Sequence, residues 1–223
     1  MTELAAALLL GGFVGLDATS FPQAMYSRPF VAGALAGLIV GRPVEGAMLG
    51  MLLEFFALPV MPFGAAAYPE GGTAAVASTL AYHRMSAGFE GDMLFLAVVL
   101  GLLLSHATGY SVRLLRIQNG KAVGGAQGQP IEPATVERAH KLAMMLDFLR
   151  GAAVTGAGTA VLVVALGLAA RVGWALPFSS LGLLIVAAAM MIGGSITVFG
   201  TVRERILSFG VGIVLTTLLV WLI

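Results

Sequence analysis

Three stretches without a charged side chain, Gly151 to Ala170, Val172 to Val202 and Ile206 to Ile223, dominate the carboxyl-terminal half of this chain. Such runs have few ways to fold in water. A hydrocarbon core about 30 Å thick needs ~20 apolar residues of helix, and each stretch is of that order. A fourth, Met93 to Val112, carries nothing more polar than His106, Thr108 and two serines. A spanning segment must satisfy its own backbone amides, which leaves helices or a closed barrel. Barrel strands alternate apolar and polar residues over roughly ten positions. Here Leu, Ala, Val and Gly run on without alternation, so the chain is expected to be an all-α polytopic membrane protein.

Composition agrees: 59% of the 223 residues are hydrophobic and 10% charged, against about a quarter charged in soluble domains. The whole chain, 1–223, reads as a single membrane domain. With no cysteine there is neither a disulfide framework nor a thiolate metal site. A net charge of +1, with no basic and aromatic cluster, argues against nucleic-acid binding. Met1 to Leu10 lacks the basic start of a secretory signal and reads as retained.

Six of the twelve Lys and Arg residues fall between Arg113 and Arg150: Arg113, Arg116, Lys121, Arg138, Lys141 and Arg150. Positive charge is retained on the cytoplasmic side, which makes 113–150 a cytoplasmic loop. The chain then crosses outward from Gly151 and returns to Arg203 and Arg205, again inside, in a carboxyl-terminal part of three transmembrane segments over 151–223. Residues 93–112 form the preceding span, with Glu90 and Asp92 near the outer surface. After Pro133, the residues from Thr135 on read as a short amphipathic helix at the inner interface.

Residues 1–92 differ. Their apolar pieces, Leu4 to Leu16, Pro29 to Gly41 and Gly71 to Tyr82, are too short to span alone, and Gly46 to Pro69 is interrupted by Glu54, Pro59 and Pro62. Apolar runs of about 10–14 residues signal broken or re-entrant helices. Transporter binding sites are built from such pieces, because unwound backbone and half-helix ends can face a ligand.

Glu54 stands out within this region. A carboxylate in an apolar stretch costs about 2.5–3.5 kcal/mol to insert. At helical spacing Gly46, Ala47, Gly50, Glu54, Ala57 and Met61 share one face, so a neighbour can approach while the carboxylate points inward. Two readings stand: a substrate or coupling group, or a structural Glu that is protonated or paired with Arg28 or Arg42. Tyr68-Pro69-Glu70-Gly71-Gly72-Thr73 reads as a hinge, in which Glu70 either binds hydroxyls with the exposed amides or caps the helix starting near Thr73. Asp17, Thr19, Ser20, Gln23 and Arg28 form another polar break, either cavity lining or an interfacial loop. His83, His106 and His140 lack partners at metal-ligand spacing, and Trp174 and Trp221 suit an aromatic belt. Gly193, Gly194, Ser195 and Thr197 fit helix packing.

Taken together, Arg28-Pro29 opening an apolar run, Gly41 ending it, Gly46 and Gly50 before Glu54, then Gly64-Ala65-Ala66 and Pro69-Glu70, make Ser27 to Ser78 a patterned unit. This stretch resembles the amino-terminal core of mannose- and sorbose-type phosphotransferase system C subunits. Similarity extends more loosely to Leu181 to Gly200. The resemblance implies a sugar permease of a bacterial inner membrane that is not an enzyme on its own and needs no cofactor. It would pair with a membrane D subunit in an oligomeric complex, bind a hexose or amino sugar, and deliver it inward for phosphorylation by a B subunit that is charged through an A subunit. By carry-over the sugar region is Glu54 with Gly64, Ala65, Glu70 and Gly71, and Asp17, Gln23 and Arg28 join it as cavity lining. Histidines of the C subunit carry no phosphoryl group in this family. Where the family commonly has Asn before Gly-Ala, this chain has Met61-Pro62-Phe63. That departure keeps two other readings open: a non-transporting scaffold or regulator derived from such a subunit, and an ion-coupled transporter or channel working through Glu54.

Overall fold

The computed structural model describes residues 2–58, 68–85, 91–122 and 132–175, with isolated positions beyond 180. Six helices account for the described elements: α1 (Thr2–Thr19), α2 (Pro29–Ile39), α3 (Pro43–Ala57), α4 (Gly71–Met85), α5 (Gly91–Ala122) and α6 (Pro133–Arg171). No strand occurs among the described residues. Three helices, α1, α5 and α6, are long and apolar enough to cross a membrane; α2, α3 and α4 are short, as the broken pattern of the amino-terminal half predicts. The runs Val172 to Val202 and Ile206 to Ile223 lie for the most part outside the described residues, and Gly64, Ala65, Gly193 to Thr197 and Trp221 lie outside them.

Close glycine contacts set the helix directions. Gly11 of α1 abuts Thr155 of α6, and a Cβ on Gly151 would sit 2.5 Å from the Gly11 carbonyl oxygen. Gly12 meets Phe148, and Phe13 stacks edge-on against Phe148 at 5.2 Å. α1 is therefore antiparallel to α6. α4 runs with α6, because Glu70 lies beside Arg150, Ala77 beside Gly158 and Met85 beside Gly167. α5 opposes both, with Gly101 against Ser78 and Leu104 against Gly158.

α2 and α3 form a tight hairpin. Pro29 and Pro43 start them at the position where a missing amide costs nothing. Between them Gly41 adopts φ +72°, and the amides of Gly41 and Arg42 close on the carbonyls of Leu38 and Gly37. This is the Schellman arrangement, which needs a left-handed residue past the helix end. The two helices approach backbone to backbone: a Cβ on Gly33 would lie 2.5 Å from the Gly46 carbonyl oxygen. α4 sits in the middle, buried from Gly72 to Tyr82 on every face, as expected of a helix enclosed by others.

Two sequence expectations change here. Leu4 to Leu16 is part of an 18-residue helix reaching Thr19; Asp17 does not end it, because its carboxylate turns inward and is satisfied by the following loop. The residues expected to form a separate interfacial helix after Pro133 are the first turns of α6, which continues unbroken for 39 residues. Correspondingly, the stretch 113–150 expected as a loop is helical over 113–122 and from Pro133 on. No glycine or proline interrupts the chain between Thr135 and Arg150, so nothing separates the polar turns from the apolar ones.

Candidate functional site

Four elements converge on one guanidinium. Arg150 of α6 donates through Nη1 and Nη2 to both oxygens of Glu70, at 2.7 and 3.0 Å. Its Nε donates to Asp147 Oδ1 at 3.0 Å, and Nη1 also reaches Ser111 Oγ of α5 at 3.1 Å. Asp147 Oδ2 accepts from Ser20 Oγ at 2.6 Å and from Thr19 Oγ1. The network thus ties the end of α1, the start of α4, the middle of α5 and α6. Its side chains are sealed: Arg150 is 9% exposed, Glu70 2% and Asp147 1%. Every carboxylate oxygen has a donor, the condition under which buried ions are tolerated.

Local sequence explains the placement. Asp147 and Arg150 stand three apart and so share a face of α6. Glu70 follows Pro69 in an extended segment whose amide donates to the Ser105 carbonyl at 2.9 Å, while Thr108 Oγ1 donates to the Glu70 carbonyl at 3.0 Å. Just before it, Tyr68 lies under the Arg116 guanidinium, 5.5 Å from the ring centroid, and its hydroxyl accepts from Arg116.

A second polar cluster adjoins the first through Pro29, whose ring touches Gly71. Here Glu54, near the end of α3, accepts the Phe30 amide at the start of α2 at 3.0 Å. Arg28 Nη1 lies 3.7 Å from its other oxygen, with side chains 55% and 20% exposed. The pairing of Glu54 with Arg28 is one of the two readings the sequence left open; the pair is longer than a hydrogen bond. Arg42 pairs with Glu45 instead, at 2.8 Å.

Asp17 connects the clusters. Buried at 2% exposure, it accepts the amides of Ala24 at 2.6 Å and Ser27 at 2.9 Å. This clamp holds a loop in which Gln23 and Met25 adopt φ of +59° and +70°, a conformation costly for residues with a Cβ. Gln23 itself is exposed.

Of the residues singled out in the sequence, Asp17, Arg28, Glu54, Glu70 and Gly71 are brought together around 24–30; Gln23 is exposed beside them, and Gly64 and Ala65 lie outside the described residues. Glu70 serves neither as a simple helix cap nor as an open hydroxyl ligand, since Arg150 holds both its oxygens. Arg150 is the residue that sequence reasoning misplaced: counted among loop cations, it is buried in α6. The signal was its spacing from Asp147 at the edge of an uncharged run. Among the described residues no group of His, Asp and Glu is set to hold a metal ion. Trp174 stacks on Phe95 at 6.4 Å, marking the far ends of α5 and α6. An apolar groove of about 650 Å³ between Met85 and the α6 stretch Val163 to Arg171 lies at that far end, remote from both polar clusters.

The family described as "PTS system sorbose-specific IIC component" matches residues 1–150, which takes in α1 to α5 and α6 as far as Arg150. Among solved structures, a chain titled "Structure of membrane protein" is similar with TM-score 0.64 and 17% identity, over 98% of this chain and 95% of that one. A chain of the cryo-EM structure of the mannose transporter ManYZ with microcin E492 (MceA) is similar with TM-score 0.52 and 17% identity, over 98% of this chain and 94% of that one. At such identity the likeness is one of fold. No curated protein matches.

Proposed function

The chain belongs to the PTS system sorbose-specific IIC component family, and from that premise we propose that it is the membrane translocation subunit of a mannose-type sugar phosphotransferase system. It works in the inner membrane of a bacterium, beside a D subunit, and passes a hexose or amino sugar inward to a B subunit that phosphorylates it. The chain carries the sugar and its partners carry the phosphoryl group, so it is no enzyme alone.

The observation that carries the site assignment is the unfinished pairing of Glu54. Its side chain is one-fifth exposed and, among the described residues, is anchored by one amide and only loosely opposed by Arg28. A sugar hydroxyl can replace such a partner at little cost, whereas each hydroxyl left unpaired in a buried site costs about 1–3 kcal/mol. Glu54 and Arg28 are assigned to the sugar, with Gly64 and Ala65 in the intervening segment and Gly71 at the junction. Glu70 belongs to the sealed network and acts by holding α4 against α6, with Asp17 holding the loop between the clusters.

Assembled with its D, A and B partners in vesicles, the chain should support phosphoenolpyruvate-dependent accumulation of a sugar phosphate. Absence of uptake with every hexose and amino sugar tried, in a complex that assembles fully, would remove the reading. Uptake driven by an ion gradient with no phosphoryl donor would select an ion-coupled transporter instead. The scaffold reading predicts that no sugar protects Glu54 from carboxyl-directed labelling.

A further inference from the structure

α6 is a single helix, and its geometry decides what its polar turns can touch. From Arg150 to Arg171 it rises about 32 Å, the thickness of a hydrocarbon core. α5 rises about 29 Å from Asp92 to Ser111, and Ser111 meets Arg150. The sealed network therefore marks one membrane boundary. Beyond it both helices continue, α5 to Ala122 and α6 back to Pro133. A helix continuous with its span cannot fold over onto the membrane surface. Lys121 stands about 15 Å and Arg138 about 18 Å past the boundary along the helix axes, while the headgroup layer is only about 5–8 Å deep on each side.

The projecting turns carry exposed cations and exposed apolar side chains. Lys121 and Arg138 make no ion pair among the described residues, nor does Arg113, which at about 3 Å past the boundary still lies in the headgroup layer, whereas Lys141 pairs with Glu137. Ile117, Val136 and Leu142 are 48%, 44% and 45% exposed. Retention of positive charge on one side explains the cations. It does not explain large apolar groups held above the headgroups, where neither lipid tails nor the chain's own core cover them; such surface marks a protein contact.

We propose that this two-helix projection docks the phosphoryl-carrying B subunit. The inference rests on the phosphotransferase reading above and adds the surface that the donor engages. A phosphoryl group brings about −1.5 to −2 charge at neutral pH, which Lys121 and Arg138, unpaired among the described residues, complement. A second copy of the chain would set the same cations against each other, and like charges across an interface disfavour that pairing.

The test uses the assembled membrane complex and the purified B subunit of the same system, phosphorylated and unphosphorylated. Reversing Lys121 and Arg138 together to Glu should weaken phosphorylated B binding at least tenfold, by a factor that grows as salt falls, while membrane insertion and sugar binding are unchanged. Because the chain has no cysteine, single cysteines at Ile117 or Val136 report directly: B should protect them from a water-soluble maleimide. The inference is overturned if the charge-reversed complex binds B as tightly as wild type, if vesicles of anionic phospholipid protect the cysteines in place of B, or if the D subunit alone already covers them. Wild-type complex that binds B yet shows no effect of the reversal sinks the docking surface alone. Failure of wild-type complex both to bind B and to drive sugar phosphorylation sinks the functional reading beneath it.

Discussion

The two polar clusters differ in how completely their charges are matched. Around Arg150, two carboxylates and a guanidinium are packed away from solvent and joined by three half-buried hydroxyls, with every carboxylate oxygen occupied. Around Glu54, one amide and one distant guanidinium among the described residues leave the carboxylate half satisfied and reachable. Such a contrast separates a clamp from a site. Ions that hold helices together cannot exchange partners without exposing a buried charge; ions that meet a ligand must be able to.

The largest effect should come from breaking the clamp. Arg150→Met strands Glu70 and Asp147 in the interior, and removing one partner of a buried pair costs about 3–5 kcal/mol. The variant should lose its folded form in detergent, seen as a collapse of thermal stability, and replacing Glu70 and Asp147 by neutral residues in the same chain should restore part of it. If Arg150→Met is as stable as wild type, the clusters do not differ as described.

Next is the hairpin that carries the Glu54 cluster. Gly33→Val would drive a Cβ to 2.5 Å from the Gly46 carbonyl oxygen, and overpacking of this kind costs about 1–3 kcal/mol. Sugar binding should fall with stability, because separating α2 from α3 pulls the Phe30 amide from Glu54. Retained sugar affinity in a destabilised Gly33→Val chain would place the site elsewhere.

Glu54→Gln should sharpen the comparison most. Its amide oxygen still accepts the Phe30 amide, and a loose exposed pair contributes about 1 kcal/mol or less, so thermal stability should barely move while sugar uptake drops at least tenfold. A large stability loss with normal uptake would exchange the roles of the two clusters. Smallest of all, Lys141→Gln removes a solvent-exposed i,i+4 pair and should alter stability by no more than about 0.5 kcal/mol.

The membrane class and the broken amino-terminal half were legible because each follows from local properties: uncharged runs demand hydrocarbon, and Pro29, Gly41 and Pro43 punctuate helices wherever they stand. Glu54 was legible for the same reason, as a charge out of place in its own neighbourhood. Asp17 was seen only as a polar break, since its loop amides fold back on it across a turn. Arg150 was invisible as a clamp because counting cations treats a guanidinium at the edge of an apolar run like one in a loop.

What the sequence determined by itself is therefore the solvent, the starts of α2 and α3 at Pro29 and Pro43 with the stop at Gly41, and the resemblance carried by Ser27 to Ser78, all set by interactions within a few residues. Only the tertiary structure decided which carboxylate is free. That depends on Glu70 meeting Arg150 across 80 positions of chain while Glu54, among the described residues, meets only Arg28 and a helix amide, and charge pairing over such separations is fixed by how helices pack, not by their order.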